Sequence, residues 1–170
     1  MQEAAAQKNE VSIRAVRMED AEDLLRIAGQ EGVIENIIFL PSYRLEQRRA
    51  SLSELGPNDH YFVAEIQGKV VGIVGLTVGT GRRRHSGDLF IYVDRDYHGK
   101  GIGSKLLRTA LDLADNWLLL RRIELTVLKD NEGAKRLYER LGFEVEGLRK
   151  LAIISKGEIK DEWLMARYRN

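Results

Sequence analysis

The sequence contains no cysteine, and that absence removes disulfides, thiolate metal ligands and a cysteine nucleophile together. It has no apolar stretch approaching the roughly 20 residues needed to span a bilayer. The opening residues, MQEAAAQKNE, contain no apolar segment of the signal-peptide kind, so a cytoplasmic location and no membrane partner are expected. An excess of one charge is lacking too. Twenty-seven basic residues stand against 26 acidic ones, and a formal net charge of +1 gives no general attraction to nucleic acid or anionic lipid. What remains is a chain of 170 residues, 44% apolar and 31% charged, long enough to bury one sizeable core.

Residues 1–10 read as a flexible tail and residues 11–170 as one domain, with no repeat or low-complexity linker. Alternation from Val11 to Val16 predicts a strand, and Leu24, Leu25, Ile27 and Ala28 predict a helix after the acidic Glu19-Asp20. Glu31 to Tyr43 reads as a loop with helical turns, and Leu45 to Leu55 as a polar helix. Tyr61–Ile66 and Val70–Val78 flank Gln67-Gly68-Lys69 as a hairpin. A loop with three consecutive arginines, Arg82-Arg83-Arg84, reads as a solvated tip rather than a nucleic-acid patch, since no aromatics are interleaved with it.

Next come a strand over Phe90–Val93, a glycine turn, and a helix from Gly103 to Leu119 with Ile102, Leu106, Ala110, Leu113 and Trp117 inward and Asp115 in water. Arg122–Leu128 reads as a strand, Glu132–Leu141 as a helix, and Phe143–Ile154 with Ile159–Tyr168 as a last pair of strands. This order is neither a clean βαβ alternation nor all-β. It predicts an α/β (α+β) fold whose mixed sheet carries helices on its faces.

The turn His98-Gly99-Lys100-Gly101-Ile102-Gly103 lies between a strand and a helix start, where unpaired amides favour anions. A P-loop spacing is absent, and a dinucleotide fingerprint is weakened by Ser104 in place of its last glycine. A tight turn that binds nothing is the remaining alternative.

Taken together with the helix from Asn131 to Phe143, this turn resembles the Gcn5-related N-acetyltransferase (GNAT) superfamily, and the likeness spans about Val11 to Tyr168. The family's Arg/Gln-x-x-Gly-x-Gly/Ala loop matches His98–Gly103, with histidine in the first position. Its Asn-x-x-Ala-x-x-Leu-Tyr-x-x-x-Gly-Phe helix is similar to Asn131, Ala134, Leu137, Tyr138, Gly142 and Phe143. The resemblance implies a mostly antiparallel GNAT-type sheet with helices on both faces, and acetyl-coenzyme A as co-substrate. That ligand would lie against Ile91, Tyr92, Val93, His98, Gly99, Lys100, Gly101, Ile102, Gly103, Ser104, Asn131, Ala134 and Tyr138. Asn131 would bond the pantetheine arm, Tyr138 would protonate the departing thiolate, and an amide near Ile91–Val93 would polarise the thioester.

Some relatives carry a basic glutamate where this sequence has Thr126; Glu124, Asp88, His85 and Glu35 are the other candidates for a base. An α-amine with pKa near 8 is about one-tenth neutral at pH 7, against about one in 2,500 for a lysine ε-amine. Without a dedicated base, the α-amine of an amino acid or peptide is the expected acceptor. Asp115-Asn116-Trp117-Leu118 with Arg122–Val127 is similar to a bacterial branch of small-molecule, amino-acid and protein N-terminal acetyltransferases. The expected acceptor-side residues are Glu35, Phe39, Tyr43 and Glu124, within Glu31–Tyr43, Leu151–Trp163 and the neighbouring strand. No metal is expected, a homodimer would match many relatives, and a non-catalytic coenzyme A-binding module is the rival reading.

Overall fold

The computed structural model describes residues 10–170; the tail read for residues 1–10 lies, save for Glu10, outside the described residues. Seven strands form one sheet: β1 (Ser12–Ala15), β2 (Asp59–Ile66), β3 (Lys69–Val78), β4 (Ser86–Val93), β5 (Arg122–Leu128), β6 (Glu144–Ser155) and β7 (Glu158–Tyr168). Their order is β1-β2-β3-β4-β5-β7-β6. Every pair is antiparallel except β4 with β5. Among the described residues four α-helices accompany them: α1 (Ala21–Ala28), α2 (Leu45–Ser53), α3 (Ile102–Asp112) and α4 (Glu132–Arg140).

The run VVGIVGL of β3 is apolar at successive positions because the strand is covered on both faces. Val71, Val74 and Leu76 belong to a core with Ile102, Leu106 and Ala110 of α3. Val70 and Ile73 belong to a second core with Leu24 and Ile27 of α1 and Leu52 of α2. The sheet therefore has helices on both faces, as the sequence predicts.

Two boundaries differ from the sequence reading. β4 starts at Ser86, so half of it lies in a stretch whose Gly87 and Asp88 look like loop. The long helix after the glycine turn changes winding at Leu113–Trp117, where the Leu118 amide bonds the Leu113 carbonyl at 3.0 Å, five residues back. The wider turn breaks the 3.6-residue period. It leaves Trp117 77% exposed and brings Asp115, expected in water, onto Arg167 through two bonds of 2.8 Å. The Arg167 guanidinium holds the Asp115 carboxyl below the usual carboxylate range despite burial.

Candidate active site

The parallel junction of β4 and β5 is only three pairs long: Ser86 with Arg122, Gly87 with Ile123 and Asp88 with Glu124. Beyond it each strand keeps its outer partner, β4 as far as Val93 opposite Gly72 and β5 as far as Leu128 opposite Glu162. The two inner edges diverge, leaving amides and carbonyls of both strands without a neighbour in the sheet. A cleft of about 1120 Å3 occupies the gap. Ile102, Gly103 and Leu137 line it from the α3–α4 face and Arg48, Leu52 and Leu55 from the α2 face, so the cleft passes through the sheet.

The glycine loop is fixed at the end of β4 by Asp94, which is 1% exposed and accepts from Arg26 at 2.6 Å, from the Gln30 amide at 3.0 Å and from the Asp96 backbone at 3.1 Å. Burial alone would raise this carboxyl, but the Arg26 and Gln30 bonds outweigh it and hold it below its ordinary value. Gly99 and Gly101 take φ of 70° and 79°, a region costly for residues with a Cβ. Gly101 is also the N-cap of α3. The first amide to find an acceptor in that helix is Lys105, on the Gly101 carbonyl at 3.1 Å, so those of Ile102, Gly103 and Ser104 are available to an anion.

Two side chains of the loop are engaged elsewhere. The His98 ring lies with Nε2 2.8 Å from the Val93 carbonyl, tying the loop to the strand. Lys100 donates to the Asp96 carbonyl at 2.9 Å with its ammonium 5.0 Å from the Tyr97 ring centroid, and alone among His98–Ser104 it does not line the cleft.

On the facing wall, Asn131 caps α4, its Oδ1 accepting from the Ala134 amide at 3.2 Å. Its Nδ2 donates to Asn36 Oδ1 at 3.0 Å. Asn131 therefore has a structural task beside the ligand bond expected of it, joining α4 to the segment before α2. Ala134 and Tyr138 come next along the cleft wall. Tyr138 is 7% exposed, and its hydroxyl makes no hydrogen bond among the described residues. Burial pushes that hydroxyl up to about 12, so it stays protonated across the physiological range.

The acceptor-side expectations fare less evenly. Phe39 lines the cleft. Tyr43 instead lines a shallow depression of about 440 Å3 beside it, its hydroxyl donating to the Gln47 carbonyl at 3.2 Å. Glu35 lies outside the lining, accepts from the Gly32 amide at 2.7 Å and pairs with Lys156 at 2.7 Å, and the Lys156 bond holds it below its usual value. Glu124 lies outside the lining too. It pairs with Arg122 at 2.7 Å, opposite Asp88 in the last pair before the strands part, and neither carboxylate lines the cleft. Burial first, then the neighbouring Glu124, pushes the Asp88 carboxyl up. His85 also lies outside the lining.

The lining contains four charged residues that the sequence reading missed, Arg140, Arg149, Glu162 and Arg48, and the last two are the most buried of them. Glu162, 14% exposed on β7, is the cleft's one carboxylate among the described residues and lies 3.4 Å from Arg149. Arg48 of α2 is 5% exposed. Neither had a local signal, since Glu162 sits in the polar run KDEW and Arg48 in QRRA.

Residues 38–143 match the Acetyltransferase (GNAT) family. The L-amino acid N-acetyltransferase AaaT of Escherichia coli (strain K12) is 36% identical over 160 residues, 94% of this chain and 98% of that protein. An acetyltransferase of the GNAT family from Streptococcus pneumoniae superposes with a TM-score of 0.80 at 32% identity, over 94% of this chain and 100% of the other. The spermidine N-acetyltransferase from Vibrio cholerae in complex with CoA and spermine has a TM-score of 0.83 at 23% identity, over 93% of this chain and 95% of the other, a likeness of fold. The chain belongs to the GNAT family and is an acetyl-coenzyme A-dependent N-acetyltransferase.

Proposed function

We propose that the protein acetylates the primary amine of an amino acid-like small molecule or a peptide N-terminus, by direct attack within a ternary complex. The observation that carries this reading is the early end of the β4–β5 junction, which opens a cleft bounded by a helix N-terminus on one wall and a buried tyrosine on the other. The chemistry of the walls fits acetyl-coenzyme A. Free amides at Ile102–Ser104 suit its pyrophosphate, the unpaired edge of β4 suits its amide-bearing arm, and Ala134 leaves space beside that arm. The E. coli relative, named for L-amino acids, supports an α-amine acceptor.

In this mechanism an amide of the Ile91–Val93 segment, on the open edge of β4, stabilises charge on the thioester oxygen as the C–N bond forms. Tyr138 then donates its proton to the sulfur as the C–S bond breaks, and the proton shed by the newly acylated nitrogen passes through solvent to restore the Tyr138 phenol. A thiol near 8.5 and a phenol at about 12 make that transfer uphill by roughly 5 kcal/mol for isolated groups. The gap narrows inside the cleft because the desolvation that raises Tyr138 also raises the thiol. The cleft's one carboxylate among the described residues, Glu162, is paired with Arg149, so in this reading the amine arrives neutral from solution, as an α-amine of pKa near 8 can.

Substituting Tyr138→Phe tests the acid role. Turnover, followed as thiol release with a panel of amino acids, should fall on the order of 100-fold. Acetyl-coenzyme A affinity by calorimetry should stay within about twofold, because the ring is kept. Unchanged turnover would remove Tyr138 from the mechanism.

A further inference from the structure

Arg48 is a cation held out of water with no anion beside it. It is 5% exposed, and no carboxylate of the described residues lies within salt-bridge distance. Its Nη2 donates to the Tyr92 hydroxyl at 3.1 Å, while its Nε is buried without an acceptor. The guanidinium carbon lies 4.3 Å from the Phe39 ring centroid and 5.5 Å from that of Tyr43. Tyr92 is no counter-ion, since burial pushes its hydroxyl up to about 12 and keeps it neutral. Aromatic faces and one neutral hydroxyl compensate a buried guanidinium only in part. Such an incomplete shell is costly to keep unless a ligand completes it.

The location says what that ligand is. Arg48 lines the cleft, and its partner Tyr92 belongs to the strand segment whose amides we assign to the thioester. One tyrosine side chain separates the guanidinium from that backbone, a spacing that suits a carboxylate a bond or two from the attacked amine. We infer that Arg48 is the acceptor's carboxylate receptor, and that the preferred acceptors are free α-amino acids rather than peptides, amides or polyamines. This inference rests on the acetyltransfer reading above. The planar guanidinium would pair with the carboxylate through charge-assisted bonds, held in place by Tyr92 and the Phe39 ring.

The test compares L-methionine, L-leucine and L-phenylalanine each with its own amide and with the dipeptide it forms with glycine. In the wild type each free acid should exceed its amide and its dipeptide in kcat/KM by about 100-fold, the scale for a buried charge losing its partner. In Arg48→Met that ratio should shrink to within about threefold. In Arg48→Lys, which keeps the charge and loses the fork, it should settle near tenfold. Amides or dipeptides used as well as acids by the wild type, or an undiminished ratio in Arg48→Met, would overturn the assignment. Should Arg48→Met fail to fold, by circular dichroism, the wild-type ratio and Arg48→Lys decide. Absence of turnover with every acceptor would count against the acetyltransfer reading alone. Calorimetric titration of L-methionine against methioninamide into the coenzyme A-saturated protein would then decide for Arg48, with equal affinities sinking it.

Discussion

The two ends of the cleft are built by different means. At the glycine end the parts are contiguous in sequence, with β4, its loop and α3 in direct succession and backbone amides facing the gap. At the acceptor end the parts come from distant segments: Arg48 from α2, Tyr92 from β4, Asn36 from the loop before α2 and Glu162 from β7. The first end depends on backbone conformation, which a local motif can specify. The second depends on side chains that tertiary packing alone brings together.

Substitutions at the two ends should separate these dependences. The largest effect is expected at the anchor of the glycine end. Asp94→Asn removes the charge that faces Arg26 and should cost about 2 kcal/mol of stability, less than a wholly buried pair because Arg26 keeps some water. Because folding lowers the Asp94 pKa, its contribution is present above the ordinary carboxylate range and is lost as pH falls through the folded value. The difference in Tm between wild type and variant should therefore shrink as pH drops below about 4. A constant difference down to the lowest pH at which both fold would rule out the charge as the source of the anchor's stability.

A smaller effect, confined to the ligand, is expected from Gly101→Val. A branched side chain at φ of 79° forces the helix cap to relax and misaligns the amides behind it. Acetyl-coenzyme A affinity by calorimetry should fall about tenfold, and an unchanged value would show that the loop amides carry no binding. The smallest effect belongs to the link between the ends. Asn36→Ala removes the bond to Asn131 and should raise the acceptor KM about threefold, the scale of one partly exposed hydrogen bond. A rise larger than the loss from Gly101→Val would make the link the more important device.

The same contrast explains what could be read from the sequence. The glycine spacing and the Asn131–Tyr138 helix are local patterns, and the cleft wall contains nearly all of them. Lys100 departs because its long stem reaches back to Asp96. Arg48 was illegible because nothing nearby distinguishes it from Arg49, yet Arg48 is 5% exposed while the Arg49 side chain is 53% exposed and pairs with Glu22. Glu35 and Glu124 were plausible as bases by type and position, but each is paired with a cation outside the cleft lining. Trp117 failed for a different reason, since one wide turn cancels a periodicity that composition supports.

The short junction of β4 and β5 also bears on how the protein avoids sticking to its neighbours. Strand edges normally invite pairing with other chains, and outer edges are blunted by charge, as Glu144, Glu146, Arg149 and Lys150 do on β6. The edges that open beyond Asp88 and Glu124 have no such protection, yet they face each other indoors, with helices over both faces of the sheet. A foreign strand would have to enter between those helices to pair with them. The fold can thus keep a row of vacant amides for a slender guest without the aggregation hazard that an equal row would bring on the outside.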